Sequence, residues 1–167
     1  MSDESGNPTY IGGCLCGAVR YESGELWGAA YCHCRMCQKS VGNAFSAFAQ
    51  FPRDSFRITR GEPHWYRSSE IVDRGFCTEC GTPLFVKYRI AEWSDWVVAS
   101  IGSLDDPGAV APQRHFGTES MIPWLEITDD LPREAYPENF IESCAAADRA
   151  NPERSPSRWR LSTAPKD

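Results

Sequence analysis

The chain has 167 residues, 41% of them hydrophobic and 12% aromatic, which suits one domain with a sizeable core. Its formal charge of −6 opposes phosphate attraction and so disfavours nucleic-acid binding. No stretch reaches the ~18 apolar residues of a membrane span, and Met1 to Pro8 lack the apolar run of a signal peptide.

Residues 1–9 read as a flexible polar leader. Ala18 to Glu22 alternates and is β-branched or aromatic at two positions, which predicts a strand. Cys14-Leu15-Cys16-Gly17 sits at its entrance, where glycine permits a tight metal knuckle. Leu26 to Tyr31 is a second predicted strand, and it delivers the chain to Cys32-His33-Cys34-Arg35-Met36-Cys37. Gln38 to Gly42 reads as a turn or one helical turn. Phe45 to Phe51 follows period two but is nearly all apolar, so both faces of that strand are expected to be covered.

Phe56 and Ile58 continue the β pattern, Gly61-Glu62-Pro63 is a turn, and His64 to Arg67 is a short surface strand. Cys77-Thr78-Glu79-Cys80-Gly81 repeats the knuckle, and Leu84 to Tyr88 leaves it as a strand. Trp96 to Ile101 is another strand, Asp105 to Gly108 a turn, and Met121 to Ile127, broken by Pro123, an edge or extended segment. Within 137–150 a short helix is predicted, with Phe140, Ile141, Cys144 and Ala145 on one face. Residues 151–167, rich in Pro, Ser and Arg, read as a flexible tail. Many short strands with little helix make the fold mainly β.

The eight cysteines carry the chemistry. Without a secretory leader they read as reduced, metal-bound thiols of a cytoplasmic protein rather than as a disulfide framework. Cys14, Cys16, Cys77 and Cys80 supply the four sulfurs of a closed structural zinc site, and Cys32, Cys34 and Cys37 supply three, which leaves one corner of a second zinc open. Two such ions add −2 and −1 to the formal charge, taking the loaded protein to about −9. Two other readings of the triad stay open: a second structural zinc completed by His33 or a distant residue, and a redox pair of Cys34 and Cys37. Cys144 is left over and reads as an inert, buried-type thiol.

Three thiolates make zinc a weak Lewis acid but a good holder of a fourth sulfur. A thiol bound there is ionised at neutral pH and can attack a carbonyl carbon. That points to making and breaking thiol–aldehyde adducts rather than to hydrolysis. The alternative is a non-catalytic, zinc-stabilised binding module with two structural zinc sites.

These motifs resemble the glutathione-dependent formaldehyde-activating enzyme family, also called the centromere protein V/GFA domain. The resemblance rests on Gly13 to Gly17, on Cys32 to Lys39 and on Arg74 to Leu84, with His115, Trp124 and Asp130-Leu131-Pro132 completing it, and it spans about residues 10 to 136. It implies a β-tent fold, with short antiparallel strands in sheets joined at a structural zinc on Cys14, Cys16, Cys77 and Cys80. It implies a second zinc, which can be partly occupied, on Cys32, Cys34 and Cys37. The activity implied is that of a carbon–sulfur lyase, an S-(hydroxymethyl)glutathione synthase acting on glutathione and formaldehyde. Small thiols and small aldehydes are then the partners, with no nucleic acid or membrane.

His33, between two cysteines of an extended segment, is expected to point away from their sulfurs and to lie behind the site or at the surface. His115 either lines the site or packs. Arg35, Lys39 and Arg74 either meet a substrate carboxylate or balance the anionic metal site as solvated charges. Trp65, Trp93, Trp96 and Trp124 are expected in the core rather than on a pocket wall.

Overall fold

The computed structural model describes residues 9–150. The predicted leader, but for its last residue, and the predicted tail at 151–167 lie outside the described residues. The fold is mainly β. A three-stranded sheet is formed by β1 (Tyr10–Gly13), β2 (Arg20–Ser23) and β5 (Phe56–Arg60), in the order β1-β2-β5. The larger sheet contains β3 (Gly28–Cys32), β4 (Ser46–Pro52), β6 (His64–Arg67), β7 (Val72–Phe76), β8 (Pro83–Tyr88) and β9 (Trp96–Ser100). Two short strands, β10 (His115–Phe116) and β11 (Arg133–Glu134), extend it to the order β11-β10-β3-β4-β9-β8-β7-β6. Pairing is antiparallel except where β10 runs parallel to both β3 and β11.

Side chains alternate across a strand, so one strand can serve two cores. In β4, Ala49 and Phe51 belong to a core cluster shared with the small sheet, while Phe48 belongs to a cluster on the opposite face. Both faces of this strand are covered, as its near-continuous apolar run requires. The first cluster is centred on rings: Tyr21 and Phe56 of the small sheet lie 5.1 and 5.6 Å from Phe85 of the large one. The Tyr21 hydroxyl, buried with them, is satisfied by the Ser103 hydroxyl at 2.7 Å.

The second face is organised by register, because residues paired across strands share a face. Gln50 pairs with Val98, Val98 with Val86, and Val86 with Arg74, so a guanidinium ends a row of largely apolar side chains. Ala30 pairs with Phe48 and Val72 with Tyr88 on that same face. The helix α1 (Arg35–Val41) crosses one end of it, beginning three residues earlier than the predicted turn. The helix α2 (Phe140–Arg149) packs against it through Ile141, Cys144 and Ala145. Met121 to Ile127 forms no strand. The strands β1, β7 and β11 are short and carry glycine or charge, and β10 has only two residues, so none shows a β pattern in the sequence.

The two sheets also meet through sulfur. Cys14 and Cys16 lie in the β1–β2 turn, Cys77 and Cys80 in the β7–β8 turn, and their four Sγ atoms all lie within 4.8 Å of one another. Each turn closes with glycine in the left-handed region, Gly17 at φ 77° and Gly81 at φ 74°, where a side chain would be strained.

Lys87 faces the first core, its ammonium 3.6 Å from the centroid of the Trp65 ring. Burial pulls its pKa down from 10.5 to about 8, against the attraction of Asp73. Between those two values the unfolded chain binds the extra proton, so stability rises with pH across this window. Lys87→Met is expected to remove that rise, read as the thermal midpoint from pH 7 to 10.5 beside the parent. Equal slopes for parent and variant would show that another group titrates.

Candidate metal and substrate site

Three sulfurs sit where β3 hands over to α1. Cys32 ends β3, Cys34 caps the helix by accepting the Cys37 N–H at 3.4 Å, and Cys37 lies in its first turn. Their Sγ atoms lie within 4.8 Å of one another, with Cys32 and Cys34 3.5 Å apart. Among the described residues no fourth Cys, His, Asp or Glu joins this group. The buried Arg74 guanidinium donates to Cys37 Sγ at 3.3 Å. Hydrogen bonds from Cys32 and Cys34, then the Arg74 charge, lower the Cys37 pKa against the effect of burial.

Both sulfur groups fit zinc. Tetrahedral sulfurs about 2.3 Å from a central ion are separated by about 3.8 Å. The separations between Cys14 and Cys16 and between Cys16 and Cys77 are 3.6 and 3.8 Å. A disulfide would need a separation of about 2.05 Å. Supporting bonds come from Thr82, whose hydroxyl lies 3.1 Å from Cys80 Sγ and accepts the Leu15 N–H at 3.1 Å.

The triad opens onto a cavity of about 540 Å³ over the second face of the large sheet. Its floor is the paired register of Ala30, Phe48, Gln50, Val86 and Val98. Its wall includes Tyr88, Trp93 and Trp96 and, from the C-terminal segment, Tyr136, Phe140 and Ile141. Trp93 and Trp96, expected in the core, thus stand on the pocket wall, and Trp124 is 76% exposed, while Trp65 stacks on Phe85. Trp96 and Val98 share one face of β9 by their spacing in the sequence, but spacing does not tell which of the two faces borders a cavity.

The expected cations separate. Arg74 is committed to Cys37, Arg35 lines the cavity and donates to Gln38 Oε1, and Lys39 is exposed and lies off the cavity. His33 is fully buried rather than at the surface, and its ring turns away from the sulfurs. The Asp129 carboxylate lies 3.1 Å from His115 Nε2, so His115 Nε2–H donates to it and His115 Nδ1 accepts from His33 Nε2–H at 2.8 Å. Burial, then nearby positive charge, lowers the His33 pKa. The ring is held between Phe45 and His115, with Tyr31 stacked behind His115. Asp129, which closes this chain, had no sequence motif to mark it.

The turn after β10 presses on the same segment. Gly117 has φ 65°, and a Cβ there would stand 2.8 Å from the Cys34 nitrogen. Gly117→Ala is expected to cost about 1–3 kcal/mol, with the loss visible as a lower denaturation midpoint. His115→Phe keeps the ring but leaves the buried His33 donor unpaired, again about 1–3 kcal/mol. An unchanged melting curve for both variants would mean that the His33 segment is not held from behind.

The sequence model described as "Glutathione-dependent formaldehyde-activating enzyme" matches residues 9–120. That match ends before Trp124 and Asp130-Leu131-Pro132, short of the expected limit near 136. A protein of Schizosaccharomyces pombe, named as an uncharacterized lyase, is 36% identical over 84 residues, covering 48% of this chain and 59% of its own length. The chain therefore spans less than two thirds of that relative. Among the described residues no helix is long and apolar enough to cross a membrane.

Proposed function

This chain belongs to the glutathione-dependent formaldehyde-activating enzyme family, and we propose that it is a zinc-dependent carbon–sulfur lyase that forms or cleaves adducts of a small thiol with a small aldehyde. The observation that carries the proposal is the group of three sulfurs, with no fourth protein ligand among the described residues, opening onto a cavity. The lyase name of the yeast relative supports the same reaction class. In this reading Cys32, Cys34 and Cys37 hold the second zinc and Cys14, Cys16, Cys77 and Cys80 the structural one. Zinc bound by three thiolates would keep a substrate sulfur ionised in its fourth position.

The chain's own groups then have separable tasks. Arg74 offsets the negative charge of the triad through Cys37. The Cys37 N–H holds Cys34 Sγ in place. The apolar floor limits water at the reacting carbon. In the forming direction the sulfur–carbon bond is made, the carbonyl electron pair moves to oxygen, and that oxygen takes up a proton. Cleavage is the reverse. Glutathione is the first thiol to test, with Arg35 facing the cavity to meet a carboxylate. The eight unpaired thiols suit a reducing compartment, the cytoplasm.

Cys34→Ser is expected to leave the fold intact, weaken one metal and abolish glutathione binding. Isothermal titration of zinc-loaded parent and variant measures this, and exchange NMR of glutathione with formaldehyde reads acceleration by the parent. A parent that binds no small thiol would leave only a zinc-stabilised binding module. Cys77→Ser is expected to be far more damaging, because structural zinc contributes on the order of 10 kcal/mol to folding in small zinc modules. Chelator titration should remove the two ions in separate steps, the first with little loss of circular dichroism. A Cys77→Ser variant that melts with the parent would refute the clip between the sheets.

A further inference from the structure

The triad faces about 540 Å³ of space that the thiol and the carbonyl compound would share, so the character of its wall, rather than its volume, bears on the carbon half of the adduct. That volume falls in the range of about 300–1,000 Å³ typical of sites for larger organic ligands. The wall is built of rings in series. Trp96 stacks on Trp93 at 6.1 Å and 25°, Trp93 on Phe140 at 5.7 Å and 26°, Phe140 on Tyr136 at 4.4 Å and 14°, and Tyr136 on Phe116 at 6.0 Å and 6°. All five line the cavity that the triad also lines, so the series carries ring surface from β9 to β10. Its Tyr136 and Phe140 lie beyond residues 9–120, so the part matching the family does not supply them.

Charge argues the same way. Three exposed carboxylates, Glu119, Glu138 and Glu142, line the cavity, Glu119 accepting the Tyr136 N–H at 2.9 Å, against the cations Arg35, which donates to Gln38, and Arg74, which donates to Cys37. A three-thiolate zinc adds a further negative charge. An anionic group on the carbon half of the adduct would meet this field unfavourably, whereas a neutral ring would not. Stacked or edge-on ring contacts add to the burial of apolar surface.

We infer that the carbon half of the adduct handled here is a neutral aryl group, so that an aryl aldehyde takes the place of formaldehyde. The inference rests on the thiol-adduct reading of the three-sulfur site. In the step, the thiolate sulfur bonds to the aldehyde carbon, the carbonyl electron pair moves to oxygen, and oxygen takes a proton from solvent, with no change in redox state.

Neutral thioethers without a free thiol test the cavity separately from the sulfur chemistry. The zinc-loaded full chain is titrated with 2-(benzylthio)ethanol, 2-(cyclohexylmethylthio)ethanol and 2-(methylthio)ethanol, followed by calorimetry and by tryptophan fluorescence. The benzyl compound is expected to bind roughly tenfold or more tightly than the methyl one, and more tightly than the cyclohexylmethyl one. Phe140→Ala, and Phe140→Leu, which keeps an apolar side chain, are expected to lose the preference for benzyl over cyclohexylmethyl without a change in melting midpoint large enough to unfold the chain at the assay temperature. Equal binding of benzyl and methyl, or of benzyl and cyclohexylmethyl, overturns the aryl assignment. Glutathione titrated into the same preparation separates the two claims. If it binds and no ring preference is seen, the aryl inference alone fails. If the benzyl compound binds and no thiol does, the thiol-adduct reading fails, and the aryl substrate with it.

Discussion

Burial on both faces is the constraint from which the rest of the large sheet follows. A strand places successive side chains on opposite faces, so each central strand must satisfy two environments at once. In β4 and β9 the residues Ala49, Phe51, Val97 and Ala99 pack toward the small sheet, while Phe48 and Val98 face the other way. The first set closes a ring-filled core around Tyr21, Phe56 and Phe85. The second set is only partly covered, by α1, α2 and the segment before α2, and the space left over is the cavity. A slip of one residue in register would exchange these two sets, so core and site are specified together.

The sulfur groups occupy the ends of this arrangement and differ in how they are tied to it. Cys14 and Cys16 belong to one sheet and Cys77 and Cys80 to the other, so that group spans an interface between sheets. Cys32, Cys34 and Cys37 come from one short stretch, and their placement depends on what lies behind it. There Asp129, His115 and His33 form a hydrogen-bonded line, and Gln38 Nε2 donates to the carbonyls of His33 and Ser120 at 2.6 and 2.9 Å. Such bonds restrict the backbone that carries the sulfurs without touching the space in front of them.

The space in front of the sulfurs combines rings with exposed charges. Arg74 lines the cavity but donates to Cys37, so its charge is shared with the triad. The rings of Trp93, Trp96, Tyr136 and Phe140 are prominent in the wall, and the exposed side chains of Arg35, Glu119, Glu138 and Glu142 also line it. Three cysteine sulfurs beside an aromatic wall would suit a ligand with sulfur at one end and a ring at the other.

The sequence alone determined which cysteines stand close enough to share a metal ion and the β character of the chain. Cysteine spacing within a few residues, with glycine after Cys16 and Cys80, marks turns that could hold a metal wherever they end up, because the turn is local. The apolar run of Phe45 to Phe51 showed a strand covered on both sides for the same local reason, its period of two. What the tertiary structure alone decided were the relations between distant segments. Arg74 meets Cys37 only because β7, β8, β9 and β4 pair in one register, and Asp129 meets His115 only because the chain after β10 folds back to β11. Tyr136 and Phe140 become walls of the site only because α2 packs on the second face. Nothing in the local pattern of a Trp or Tyr distinguishes a ring that fills a core from one that borders a cavity, since both are apolar and partly buried. The difference is the absence of a neighbour on one side, and only the assembled sheets and helices determine that.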